Sequence, residues 1–261
     1  MRLRLYQLDA FADRVFAGNP AAVCPLEAWL PDATMQAISA ENNVSETAFF
    51  VPEGEAYALR WFTPTVEVDL CGHATLASAF VIFRDLQPGL ERVVFRTRSA
   101  GELAVGRDGD LLALDFPSRP PGPCAVPSEL AAALGASPST VLASRDYLAV
   151  FEAAGAVAAL RPDFAALAAL DRFAVIATAP GADGIDFVSR FFAPARGVSE
   201  DPATGSAHCS LIPYWAELLG KTRLEARQLS QRGGALSCAL RGDRVTIAGR
   251  VVPYFEGTIM L

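Results

Sequence analysis

The chain has 261 residues, a length for one large domain or two of ordinary size. With 52% hydrophobic and 20% charged residues it holds ample material for a core, which excludes disorder as its main state. Its 22 Lys and Arg against 29 Asp and Glu give a formal charge of −7, which repels phosphate backbones and argues against nucleic-acid binding. Lys221 is the single lysine. The residues before Gly220-Lys-Thr222 lack the first glycine of a Walker A loop, and a pyridoxal Schiff base would have only this one residue to use. Two histidines and five cysteines without a C-x-x-C pair make a poor metal set, and Cys71-x-His73 is too sparse to hold an ion alone. The odd, scattered thiols read as reduced cysteines in a cytoplasm. No signal-peptide core is expected at the start, and Leu148 to Leu160, the most apolar stretch, is too short to span a bilayer, so no membrane partner is expected.

In chain order, short Val-, Leu-, Phe- and Tyr-rich segments predict strands over Leu3–Phe11, Ala21–Cys24, Thr47–Val51, Tyr57–Phe62, Arg92–Arg96, Gly101–Gly106 and Leu111–Phe116. Asp32–Asn42 reads as a helix with Asp32 as N-cap. Gly72–Arg84 is apolar on every side, the mark of a helix buried at the centre of a domain. Pro117-Ser-Arg-Pro-Pro-Gly-Pro123 is a boundary that no helix or central strand crosses. Beyond it, helices are expected at Pro127–Leu134 and Asp163–Leu170. Strands are expected at Tyr147–Phe151, Phe173–Ala177 and Asp186–Phe192. A second apolar helix, Thr204–Gly220, precedes strands near Leu224–Ser230, Ala235–Leu240, Arg244–Ala248 and Thr258–Leu261. Gly72 and Gly205 open the two apolar helices 133 residues apart, about half the chain. The expectation is an α+β protein of two similar lobes, 1–117 and 118–261, with the C-terminal strand 252–261 as a candidate to complete the first. Ligands often lie between such lobes.

The helix entrances concentrate the candidate chemistry. At Cys71-Gly-His-Ala-Thr75 and Asp201-Pro-Ala-Thr-Gly-Ser-Ala-His208, glycine either admits an anion to free N–H groups or merely permits tight helix packing. Glu46 leads into an apolar strand, where burial would suit a proton-transfer group and exposure would make it a turn residue. Asp201 reads equally as a helix cap or as a partner for a substrate amino group or proton relay. His73, facing a helix dipole, is expected neutral and able to polarise a hydroxyl or carboxylate, whereas His208 reads as a core histidine. Cys71 is either a nucleophile or base near a helix N-terminus or a buried structural thiol.

Taken together, Gln7-Leu-Asp-Ala-Phe11, Gly18-Asn-Pro20, Asn43-Val-Ser-Glu-Thr-Ala-Phe49, Phe62-Thr-Pro64, Glu67-Val-Asp-Leu-Cys-Gly-His-Ala-Thr75 and Glu200-Asp-Pro-Ala-Thr-Gly-Ser-Ala-His208 resemble the PhzF-type phenazine biosynthesis isomerases, which are similar to diaminopimelate epimerase in fold. The resemblance spans essentially the whole chain. It implies a diaminopimelate epimerase-like fold, each lobe a curved, mostly antiparallel sheet around a central buried helix, with the active site in the cleft between lobes. It also implies a homodimer, a small carboxylate substrate, and no cofactor or metal. Glu46 then resembles the acid/base, with His73 and Asp201 as polar groups that contact substrate and assist proton movement. Gly72, Gly205 and Ser206 resemble the positions that hold the substrate carboxylate. The implied reaction is isomerisation of trans-2,3-dihydro-3-hydroxyanthranilate. Two alternatives stand beside it. One is an epimerase or racemase of an amino-acid-like substrate using Cys71, although the second thiol such relatives use is replaced here by Asp201-Pro-Ala-Thr before Gly205. The other is a catalytically idle member that binds a small acid or a protein.

Overall fold

The computed structural model describes residues 1–261. The backbone divides into two compact units, Met1–Asp115 with Ala248–Leu261, and Phe116–Ile247. The chain returns to its first unit because the C-terminal strand, Val251–Met260, pairs antiparallel with the first strand along its whole length, from Arg2↔Met260 to Ala10↔Val251. This strand begins seven residues earlier than its composition suggests. Pro253 is tolerated there because the register shifts between Gln7 and Leu8, a bulge that absorbs a residue lacking an N–H.

The first unit contains β1 (Arg2–Ala10), β2 (Asn19–Pro25), α1 (Asp32–Asn42), β3 (Glu46–Glu53), β4 (Ala56–Phe62), β5 (Glu67–Val68), α2 (Gly72–Val81), β6 (Arg92–Thr97), β7 (Glu102–Asp108) and β8 (Leu111–Pro117). The sheet order is C-terminal strand, β1, β2, β3, β4, β6, β7, β8. Only the β2–β3 and β4–β6 neighbours are parallel. Little β5 pairs with the end of β4. Helix α2 packs on β1, β2 and β3, and also on β7 from far along the order, so the sheet curls around it. Eight of its ten residues are buried, and each large apolar side chain enclosed in this way contributes about 1.5–3 kcal/mol. Its two polar side chains in the middle, Thr75 and Ser78, bond back to the carbonyls of Cys71 (2.6 Å) and Ala74 (2.8 Å), which is how an enclosed helix tolerates hydroxyls. The α-helix stops at Val81, short of the expected Arg84, and continues as a π-turn, Ile82–Leu86, closed by Gln87 N–H on the Ile82 carbonyl at 2.7 Å.

Helix α1 lies on β3 and β4, with Met35 and Ile38 buried against Phe49 and Phe62. Its N-cap is Pro31; Asp32 instead sends its carboxylate to Arg60 at 2.8 Å. The expected capping role of Asp32 thus gives way to a charge-assisted bond, which is the stronger interaction.

The second unit contains β9 (Gly122–Pro123), α3 (Leu130–Leu134), β10 (Thr140–Ala143), β11 (Tyr147–Val150), α4 (Ala154–Ala159), α5 (Phe164–Ala168), β12 (Val175–Pro180), β13 (Phe187–Ala193), β14 (Val198–Asp201), α6 (Gly205–Leu219), β15 (Arg223–Gln228), β16 (Gly234–Arg241) and β17 (Arg244–Gly249). Its order runs β9, β10, β11, β12, β13, β15, β16, with β11–β12 and β13–β15 parallel and β14 on the end of β13. This repeats the strand pattern of the first unit, although three short helices, α3, α4 and α5, stand where the first has α1 alone. Helix α6 packs on β15 and β16. Its Trp215 donates to Thr178 of β12 at 3.0 Å and stacks on Phe187 of β13 at 5.7 Å, so this sheet also curves around its helix. Pro213 lies inside α6 and has no N–H for the Cys209 carbonyl four residues back; the Arg119 N–H takes that acceptor at 2.8 Å. The architecture is α+β, mostly antiparallel, with a central buried helix in each unit.

Candidate active site

Glu46 is the first residue of β3, placed by the left-handed turn at Asn43 that ends α1. Cys71 is the extended N-cap of α2, Gly72 its first residue and His73 its second. This geometry gathers three side chains. His73 Nε2 stands 3.1 Å from Glu46 Oε2. Cys71 Sγ lies 3.4 Å from His73 Nδ1 and 3.9 Å from Nε2. A thiol aligned along the Nδ1–H bond would stand about 5 Å from the far nitrogen, so the sulfur sits beside the ring and is not in line with either nitrogen. Glu46 Oε2 is buried without a hydrogen-bond partner; the imidazole is close, but not in hydrogen-bonding alignment. The Glu46 side chain keeps 16% of its surface exposed while His73 keeps 6%, so the carboxylate is the member of the group open to a ligand.

Burial pushes the Cys71 thiol up to about 11, helped by the negative charge of Glu46. Burial by itself would drive His73 towards the neutral form, but Cys71 first and Glu46 second act against it and hold the imidazole well above its usual range. The direction is opposite to the one the helix dipole alone would give, because a thiol two residues away and a carboxylate 27 residues away lie beside the ring.

Asp201, Gly205 and Ser206 belong to the second unit, so the sequence candidates fall into two groups: Glu46, Gly72 and His73 in one unit, these three in the other. Asp201 ends β14. Its Oδ2 accepts a hydrogen bond from Thr204 Oγ1. Gln228, buried in β15, accepts from the Thr204 N–H at 2.8 Å and donates to the Asp201 carbonyl at 2.6 Å. Ser230 donates to the Pro202 carbonyl at 2.7 Å. The 201–204 turn is therefore fixed by the β15–β16 hairpin. Neither α2 nor α6 has a side-chain cap, unlike α5, where Asp163 accepts from two N–H groups at 2.9 and 3.1 Å. Their first N–H groups remain available to an anion, and the capping role considered for Asp201 is not the one it takes. His208 is a core residue: Nδ1 donates to the Thr204 carbonyl at 2.8 Å, Nε2 is buried without a partner, and burial lowers its pKa to about 4.

A buried arginine supports each helix entrance. Arg60 of β4 forks both oxygens of Glu67 at 2.7 Å, and Arg190 of β13 forks Glu200 at 2.7 and 2.8 Å. Each guanidinium lies 5.0 Å over the phenylalanine two residues on, Phe62 and Phe192. Each glutamate stands five residues before its helix glycine. These four residues were legible as a repeat, Arg60-Trp-Phe-Thr-Pro64 and Arg190-Phe-Phe-Ala-Pro194, followed by Glu-x₄-Gly. A three-residue difference in the spacing to the glutamate, which shifts the offset from 130 to 133, hides it from a search at one fixed period.

The fold is that of the PhzF and epimerase-like proteins. More narrowly, the chain belongs to the phenazine biosynthesis-like (PhzC–PhzF) family, whose profile matches residues 8–257. An uncharacterized isomerase of Pseudomonas aeruginosa is 55% identical over the full length of both chains. The crystal structure of a PhzF-family phenazine biosynthesis protein from Enterococcus faecalis superimposes with a TM-score of 0.97 at 49% identity, covering 100% of both chains. A predicted epimerase of Pseudomonas aeruginosa shares the fold at 24% identity, with a TM-score of 0.78 over 99% of each chain.

Proposed function

We propose that the protein is an isomerase that moves a proton on a small cyclic or amino-acid-like carboxylic acid, with Glu46 as the acid/base. The observation that carries this reading is the Glu46 carboxylate, partly open, with one oxygen free of hydrogen bonds and the His73 ring at 3.1 Å. On a substrate such as trans-2,3-dihydro-3-hydroxyanthranilate, Glu46 takes the proton from C3 and the electron pair passes into the conjugated ring. The carboxylic acid so formed returns the proton to another ring carbon. Loss and return on one face need one base only. His73 donates to a substrate oxygen and stabilises the charge that builds while the proton is in transit. Gly72, Gly205 and Ser206, at uncapped helix starts, are proposed to hold the substrate carboxylate, and Asp201 its amino group. We further infer that the protein works as a cytoplasmic homodimer without a cofactor. Its single lysine is engaged by Asp186 at 2.5 Å, which speaks against Schiff-base chemistry.

The epimerase reading needs two thiols. Cys71 is disfavoured as a base by its raised pKa, and the matching place in the second unit is Thr204. The reading is tested by incubating the protein with trans-2,3-dihydro-3-hydroxyanthranilate in deuterated water and following the ring by NMR. Isomerisation with deuterium gained at a ring carbon, absent in Glu46→Gln, is the expected result. Isomerisation that persists in Glu46→Gln would reject the assignment, and no reaction in either protein would remove this substrate.

A further inference from the structure

Glu46, Cys71 and His73 also meet the requirements of a different ligand. Their donor atoms lie within 4.8 Å of one another. Nε2 is 3.1 Å from Oε2 and 3.9 Å from Sγ. Around a tetrahedral zinc ion, with bonds of about 2.0–2.2 Å to nitrogen and oxygen and about 2.3 Å to sulfur, neighbouring donors stand about 3.2–3.8 Å apart. These two spacings lie about 0.1 Å outside that range, and Sγ stands nearer Nδ1, at 3.4 Å, so the imidazole and the thiol must turn for one ring nitrogen and the sulfur to share an ion. Oε2 is buried and unbonded although Nε2 is its neighbour; its lone pairs are not spent on the imidazole. All three residues sit on regular elements, at the start of β3 and in the first turn of α2, which holds the set together before any ion arrives.

We propose that Glu46, Cys71 and His73 bind a thiophilic divalent cation, zinc in particular, and that the bound ion switches the enzyme off. The mixed sulfur, nitrogen and oxygen set selects zinc-like ions over magnesium or calcium, which prefer oxygen alone. Binding converts the Cys71 thiol to a metal thiolate and His73 to the neutral imidazole, and the protons both give up pass to the buffer. Water or a substrate carboxylate completes the fourth position. The ion occupies the Glu46 oxygen needed for proton transfer. The inhibitory half of the proposal rests on the role given to Glu46 above; the binding half does not.

Cobalt serves as the probe for binding, because its spectrum reports a thiolate ligand without any turnover. Chelator-treated protein titrated with Co²⁺ is expected to develop, at one equivalent, a near-ultraviolet thiolate-to-cobalt band and the intense visible bands of a tetrahedral site, all displaced by Zn²⁺. Cys71→Ser removes the near-ultraviolet band. Glu46→Gln keeps that band and weakens Zn²⁺ binding by more than about tenfold in competition with a chromophoric chelator, since loss of even an outer partner costs that much. Circular dichroism confirms that both variants are folded. The absence of a stoichiometric band in the wild type, its survival in Cys71→Ser, or an unchanged Zn²⁺ affinity in Glu46→Gln overturns the site. Zinc bound here with turnover unaffected overturns the inhibition. Metal-free protein that binds zinc but never turns over contradicts the isomerase reading alone.

Discussion

The two units are built to one plan but equipped differently. In the first, the strand register pairs Phe49 of β3 with Arg60 of β4; in the second it pairs Ala177 of β12 with Arg190 of β13. Three residues before these partners stand Glu46 and Ala174. At the helix entrances, Cys71, Gly72, His73 and Thr75 of α2 correspond to Thr204, Gly205, Ser206 and His208 of α6. What is shared is scaffold. The arginine–glutamate fork recurs, and so does the side-chain bond back to the N-cap carbonyl, made by Thr75 in one unit (2.6 Å) and His208 in the other (2.8 Å). What is not shared is the titratable set: carboxylate, thiol and imidazole in the first unit, alanine, threonine and serine in the second. Duplicated frameworks tolerate this divergence because the fork and the glycine fix the backbone, while the residues beside them are free to change.

The largest effect that sharpens this contrast is expected from Glu46→Gln. Loss of a general acid/base costs about 10²–10⁴-fold in rate, read as turnover of a substrate on which the wild type is active. The same measurement on Ala174→Ser is expected to show wild-type turnover, since no chemistry is assigned there.

Next come the forks. Arg190→Met and Arg60→Met each leave a carboxylate facing an apolar gap, and each is expected to cost about 3 kcal/mol in urea unfolding. Arg60→Met is the milder of the two, because Glu67 keeps Arg98 at 3.2 Å and Asp32 is exposed to solvent. Equal unfolding midpoints for wild type and variants would show the forks to be ornamental.

The histidines separate the units by pH. His208 has its pKa lowered to about 4, so the unfolded chain binds a proton first as pH falls below about 6.5. Its contribution to stability is intact above that value and is lost between about 6.5 and 4, in total about 3 kcal/mol. His73 is raised, so its contribution is fully present below its unfolded value and is lost as pH rises through its folded one. Imidazole NMR is expected to show two signals titrating on opposite sides of the ordinary histidine range, with His73 falling in Glu46→Gln. A His73 that stays high in that variant would dissociate its charge from the carboxylate.

The smallest expected effect is that of Thr75→Val. It deletes the bond to the Cys71 carbonyl but leaves the Thr75 N–H on the same acceptor at 3.2 Å. A loss of about 1 kcal/mol, or a few degrees in Tm, is expected.

The family, the α+β class and most strands were legible in the sequence, because burial leaves a periodic or continuous apolar signal that any reading of local composition detects. The span of α1 is an example, its two ends set by Pro31 and Asn43. So is the nature of α2, whose all-round apolarity announces enclosure. Short β5, β9, β10 and β14 escaped, since two to four residues carry too little pattern, and so did most of the C-terminal strand, whose Tyr254, Phe255 and Glu256 are exposed. The candidate residues could be named one at a time from motifs; their states could not. The pKa of His73 is raised by Cys71 and by Glu46, the latter on another element. Asp201 bonds Thr204 while Gln228 ties the turn, and Cys71-x-His73, too sparse for a metal along the chain, gains a third donor in space. Sequence determines which residues meet water and which do not. Only the folded chain decides which buried charges face each other, because electrostatic coupling depends on distances of a few ångströms that separation along the chain does not reveal.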